Sequence, residues 1–147
     1  MKLTHNLVIM FVASFFIQYY LMPPIMVNKS IYITNNIGKA YMSLIMAVFM
    51  VFLEVMMHDY HYHVLSLNLY MIIFSSLALL VYLYKKQIAI NDKQYLEGMI
   101  EHHSMALLTS EEILKKTDNY EISKLAKNII QQQQDEIKTM RELLNKK

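Results

Sequence analysis

Potential metal ligands are concentrated in one short stretch of the chain, residues 99–105. It holds the adjacent His102 and His103, a carboxylate, and the thioethers of Met99 and Met105 within about two helical turns. Imidazole and thioether together suit a soft or borderline ion, and thioether in particular favours Cu(I). The stretch therefore predicts a copper site. The alternative is a structural one, in which His103 is hydrogen-bonded in a helical core and His102 is exposed.

A second series of potential ligands recurs every four residues in an apolar segment further upstream. This spacing places its members on one face of a helix, where they can pass a soft cation toward a His-rich loop. The alternative is that the Met residues only pack, that the carboxylate reaches the membrane interface, and that the loop belongs to an aromatic belt. The series is Met42, Met46, Met50, Glu54 and His58, and the loop adds His61 and His63.

The elements that position these residues begin with three apolar runs, at about 7–26, 40–57 and 64–84. Each is long enough to cross a bilayer as a helix. Residues 1–84 carry only five charged side chains, whereas residues 85–147 carry eleven basic and ten acidic ones. The division predicts a membrane domain over 1–86, in contact with lipid, and a soluble domain over 87–147.

Charge also bears on orientation and on partners. Lys29, Lys39, Lys85 and Lys86 fall on one side of the predicted spans and Lys2 on the other, so the positive-inside rule places the C-terminal domain in the cytoplasm. A net charge of +2 gives no reason to propose nucleic acid. The chain has no Cys, which excludes thiolate metal sites and disulfides.

The soluble domain has the pattern of an antiparallel helical hairpin. Capping boxes at Asn91-x-x-Gln94 and Asp118-x-x-Glu121 predict one helix to about Lys116, a tight turn, and a second helix. A turn centred on Asp118 brings equidistant residues face to face. The residues expected to converge are Met99, His102 and His103 on the first helix with Gln133, Glu136 and Met140 on the second.

Apolar periodicity defines the faces that the two helices are expected to bury. The first stripe is Leu96, Met99, His103, Ala106, Leu107, Ile113 and Leu114; the second is Ile122, Leu125, Ala126, Ile129, Ile130, Ile137, Met140, Leu143 and Leu144. A lone hairpin cannot cover both faces completely. We therefore expect a homo-oligomer in which two hairpins complete a four-helix bundle.

The motif Met99-Ile100-x-His102-His103-x-x-Ala106, followed by Gln133-x-x-Glu136-Ile137-x-x-Met140, resembles the family known as domain of unknown function 305. The arrangement of the spans resembles its membrane-bound branch, with three hydrophobic helices before the domain. The resemblance implies a helical, ferritin-like bundle and copper binding through Met and His. It carries this role to Met99, His102, His103, Glu136 and Met140, with Gln133 in support. The chain has Glu101 where Pro is common and Leu108 where Met is often found.

The sequence thus predicts an all-α, membrane-anchored protein that binds a metal, with copper as the expected ion. Its predicted role is metal handling or homeostasis rather than catalysis. The rival hypothesis is a structural or assembly protein whose hairpin mediates self-association without metal. A di-iron oxidase needs Glu-x-x-His on two helices. Met99 and Ile100 stand three residues before the histidines, and Thr139 stands three after Glu136, so that pattern fails.

Overall fold

A computed structural model of the protein describes residues 3–146, and within that range the chain is helical with no strand. Lys2, on which the predicted orientation of the spans partly depends, lies outside the described residues. Three helical segments are long and apolar enough to cross a membrane: Leu3–Met26, Ile37–Tyr62 and Leu67–Lys85. This agrees with the three predicted spans and is compatible with a membrane protein.

The first span continues through its two prolines instead of ending at them. It consists of α1 (Leu3–Phe16), a π-helical turn (Ile17–Leu21) and α2 (Met22–Met26). Proline has no N–H to donate and its ring crowds the carbonyl four residues earlier. For Pro23 and Pro24 those carbonyls belong to Tyr19 and Tyr20, both inside the π turn. The wider turn accommodates the prolines, so the helix is not broken.

The second and third spans are α3 (Ile37–Tyr62) and α4 (Leu67–Lys85). The His-rich segment was expected to be a loop, but α3 takes in His58 and His61, and only His63 follows the helix. Buried Asp59 explains the short connection. Its carboxylate accepts hydrogen bonds from the backbone N–H of Ser66 (2.6 Å) and from the Ser66 hydroxyl (2.8 Å), immediately before α4 begins.

The hairpin consists of α5 (Asp92–Leu114) and α6 (Tyr120–Asn145). Asn91 caps α5 by accepting a hydrogen bond from the backbone N–H of Gln94, as its capping box predicts. The cap of α6 is Asn119, one residue later than expected. Its backbone is extended, and its side-chain oxygen accepts from the N–H groups of Glu121 and Ile122, a role that asparagine fills as well as aspartate.

The core of the hairpin is narrower than the apolar stripes predicted. Ile100, Leu107 and Ile137 are buried together, with Met140 packed against them. Two helices shield only the residues nearest their line of contact, so the outer apolar positions reach solvent. The predicted core residues that are exposed are Ile113, Ile122, Leu125 and Leu143.

The loop between the first two spans covers another face of α5. Contacts divide the chain into two units: residues up to Met22 with Ile37–Ala89, and Pro23–Asn36 with the chain from Ile90 onward. The boundary predicted at residue 86 assigns the first loop to the membrane domain, whereas the contacts group this loop with the hairpin. The hairpin is therefore the larger part of a body that also includes the first loop.

Candidate metal site on the helical hairpin

His103 and Glu136 meet across the seam between α5 and α6. His103 Nδ1 lies 2.9 Å from Glu136 Oε2, and the His103 side chain is 13 % exposed while that of Glu136 is 56 % exposed. The predicted turn placed His103 level with Gln133 and Glu136 level with Ile100, in neighbouring layers of the hairpin. The structure brings His103 and Glu136 into contact.

The contact does not use the full bonding capacity of the imidazole. Although the two atoms are close, buried His103 Nδ1 makes no well-directed hydrogen bond. Among residues 3–146, Glu136 is the only residue that forms an ion-pair contact with this histidine. When Nδ1 carries the ring proton and turns it toward the carboxylate, the Nε2 lone pair is available to a ligand.

Burial lowers the pKa of His103 below its ordinary value of 6.5. The Glu136 carboxylate acts in the opposite direction and raises the pKa, while neighbouring His102 adds to the lowering. Burial has the largest effect, so the imidazole of His103 is neutral at neutral pH. Neutral imidazole is the form that coordinates a metal.

His102 lies beside His103 on the exposed side of the seam. The two ring centroids are 6.2 Å apart and the ring planes are inclined at 64°. Successive helical residues point about 100° apart, so one histidine faces the partner helix while the other flanks it.

The thioethers of the candidate site are all partly shielded from solvent. Met99, Met105 and Met140 are half-buried, as is Gln133, and Met140 packs against the Ile100, Leu107 and Ile137 core. In residues 3–146 no three His, Asp or Glu side chains are grouped as a metal site. A metal held at this seam would therefore draw on sulfur as well as on imidazole.

Glu101, in the middle of the same motif, points to the loop and away from this chemistry. It is 4 % exposed, and its Oε2 accepts hydrogen bonds from the Thr34 N–H (2.9 Å) and the Thr34 hydroxyl (3.1 Å). The sequence places this carboxylate among the potential metal ligands of residues 99–105 and predicts no structural role for it. The polar loop of Thr and Asn upstream was the available signal of a partner.

A second attachment of the loop lies one turn further along α5. The Asn28 N–H donates to the Ser104 hydroxyl (3.0 Å), and the Asn28 side chain donates to Glu111 (2.7 Å). Ser104 is fully buried. The face of α5 that carries Glu101 and Ser104 thus holds the loop.

The Met series of α3 lies beside the packed face of that helix. Met42 and Met46 are 46 % and 45 % exposed, whereas the next residue after each, Ser43 and Ala47, is fully buried. Met50 is half-buried. Glu54 is engaged by a hydrogen bond from Asn6 of α1 (3.1 Å).

The three histidines at the end of α3 do not converge. His58 Nδ1 is 3.1 Å from Asp59 Oδ1. The rings of His58 and His61 each contact Tyr62, at centroid separations of 4.7 and 4.9 Å. His61 and His63 are exposed.

These features define a class: an all-helical protein with three candidate membrane spans and a capped hairpin that pairs a histidine with a carboxylate. Residues 76–144 match the family model for the domain of unknown function DUF305. The chain is 33 % identical over 141 residues to the uncharacterized protein L153 of Acanthamoeba polyphaga mimivirus, covering 96 % of this chain and 92 % of the viral one. No solved structure matches the chain. The chain belongs to the family of this viral protein.

Proposed function

We propose that the protein is a membrane-anchored metal-binding protein that holds copper, as Cu(I), at the hairpin seam. The observation that supports this most directly is the pairing of half-buried His103 with Glu136 at 2.9 Å. Metal-binding histidines usually direct their second ring nitrogen to a carboxylate, which fixes the tautomer and raises the basicity of the ligand. In this proposal Glu136 orients His103, and Nε2 faces the metal.

Sulfur supplies the remaining ligands. Cu(I) accepts thioether readily, and Met99, Met105 and Met140 lie on the two helices of the seam, half-buried. His102 adds a second imidazole from the exposed side. This donor set suits binding or storage of the ion, and no residue in it has an arrangement that points to catalysis.

The test is a Cu(I) competition titration on full-length protein in detergent, with the His102→Ala/His103→Ala double variant beside it. A Lys124→Ala/Lys127→Ala variant on exposed positions of α6 is a control for the handling of a doubly substituted protein. We expect tight binding in the wild type and the control and its loss in the histidine variant. Equal binding in all three, or none in the wild type, would reject the hairpin site.

A second function is favoured by the apolar residues that α6 leaves open to solvent. Ile122, Leu125 and Leu143 are 45 %, 60 % and 47 % exposed. A structural or assembly protein would bury them against a second hairpin and so complete a four-helix bundle. Sedimentation of the Leu125→Glu variant in detergent separates the two functions. If Leu125→Glu dissociates an oligomer and still binds Cu(I), the protein both binds metal and self-associates. If the wild type is an oligomer that binds no Cu(I), only the assembly function is supported.

A further inference from the structure

A small groove forms where Tyr32 of the first loop meets α6. It has a volume of about 280 Å³ and is lined by Tyr32 of the loop and by Lys138, Arg141 and neighbouring residues of α6. The guanidinium of Arg141 lies over the Tyr32 ring, 5.8 Å from its centroid. The aromatic face holds one end of the long Arg side chain in place and leaves its N–H groups free to bind.

Cations outnumber carboxylates in the lining of this groove. Among the described residues neither Lys138 nor Arg141 forms an ion pair. Gln134 and Asn145 add amide donors, and Glu142 is the single carboxylate in the lining. An arginine fork with lysine and amide donors nearby suits a phosphate oxygen.

The loop that contributes Tyr32 is also the connection between two candidate spans. Pro23–Asn36 connects the first two candidate spans. Along the chain, Tyr32 is only five residues from Ile37, where α3 begins. Basic clusters next to a span recognise anionic headgroups, and Tyr and Arg are both suited to the interfacial layer.

We propose that Tyr32, Lys138 and Arg141 form a binding site for the phosphate of an anionic lipid headgroup. The site does not depend on the proposed copper function, since it uses none of the same residues. An anionic lipid bound there would join the loop and α6 through a common ligand.

The experiment uses native mass spectrometry of the full-length protein in detergent, titrated with dioctanoyl phosphatidylglycerol and, separately, with dioctanoyl phosphatidylcholine. The test variant is Lys138→Gln/Arg141→Gln. The matched control is Lys124→Gln/Lys127→Gln, which removes the same charge at the same spacing from exposed positions of the same helix. Tyr32→Leu tests the aromatic wall with both cations in place.

We expect the wild type and the control to bind phosphatidylglycerol in preference to phosphatidylcholine. The test variant should lose that preference by roughly tenfold, because Lys and Arg side chains contribute to the binding of anionic lipids. The Tyr32 variant should show a smaller loss. Equal loss in the test and control variants would overturn the proposal, because the preference would then follow net charge. Displacement of the lipid by millimolar inorganic phosphate would also overturn it, because the groove would then be a site for a soluble phosphate. Matching helix content by circular dichroism confirms that the variants are folded.

Discussion

The two units of the chain use their polar side chains in different ways. In the unit of the spans, the Asp59 carboxylate is occupied by two bonds from Ser66 and by His58, and Glu54 is bonded by Asn6. In the hairpin unit, His103 has one close neighbour, Glu136, and no well-directed hydrogen bond. The two carboxylates of the span unit are thus engaged in structure, whereas the hairpin holds an imidazole nitrogen that makes no hydrogen bond.

The difference shows that the local density of potential ligands is a poor guide to a site. Residues 58–63 contain three histidines, more than the hairpin motif. One of them lies beside Asp59, the carboxylate that accepts from Ser66, and the ring of Tyr62 contacts the rings of two of them. Unused coordination capacity in a partly buried place is the better criterion, and His103 meets it.

The largest expected effect distinguishes the hairpin histidines from those of residues 58–63. The His102→Ala/His103→Ala variant should lose Cu(I) affinity by more than about a hundredfold, because even partners of ligating histidines are worth ten- to a hundredfold. A His58→Ala/His61→Ala/His63→Ala variant should bind almost as the wild type does. Both are measured by competition with a chromogenic Cu(I) chelator, and a larger loss in the triple variant would reverse the assignment.

The next effect sharpens the role of Glu136. Glu136→Gln keeps the size of the side chain but removes the charge that orients His103, so Cu(I) affinity should fall by about ten- to a hundredfold. Exposed Glu142, six residues further along α6, provides the control as Glu142→Gln. No change in the first variant would mean that Glu136 does not orient the ligand.

A third prediction concerns the loop and not the metal. Glu101→Ala removes the carboxylate that accepts from the N–H and the hydroxyl of half-buried Thr34, and the loss of a hydrogen bond to a charged group costs about 1.5–3 kcal/mol. Hydrogen exchange at the Thr34 amide should accelerate, and denaturant unfolding should occur earlier. Glu101→Gln retains an acceptor oxygen and should be milder; an alanine variant as stable as the wild type would show that the bonds contribute nothing.

The smallest effect is the response to acid. Because burial lowers the pKa of folded His103 below 6.5, the unfolded chain takes up a proton first as the pH falls. Stability should therefore decline from about pH 6.5 downward, over the interval between the unfolded and folded pKa values. His103→Gln should remove that part of the decline, while His61→Gln, at an exposed position, should not. Thermal unfolding followed across this range checks the sign.

The helices and their order could be predicted from the sequence because apolar runs and helical periodicity are local signals. The Asn91 cap and the proximity of His103 to Glu136 follow from the same signals. The extension of α3 through His58 could not, because the polar residues at this point have the composition of a loop, and the hydrogen bonds from Ser66 to Asp59 cannot be read from the sequence. The contact of Asn28 with α5 could not be predicted either, because an irregular loop lacks the periodicity that identifies a packing partner.

The bonds between the first loop and α5 have a consequence for the order in which the molecule is made. Asn28 is separated from Ser104 by 76 residues and from Glu111 by 83, and Thr34 is separated from Glu101 by 67. A nascent chain that has emerged only as far as its third span contains the loop without any of these partners. Contacts so distant along the chain close late in folding. The first loop therefore reaches its final contacts only after the hairpin has been translated.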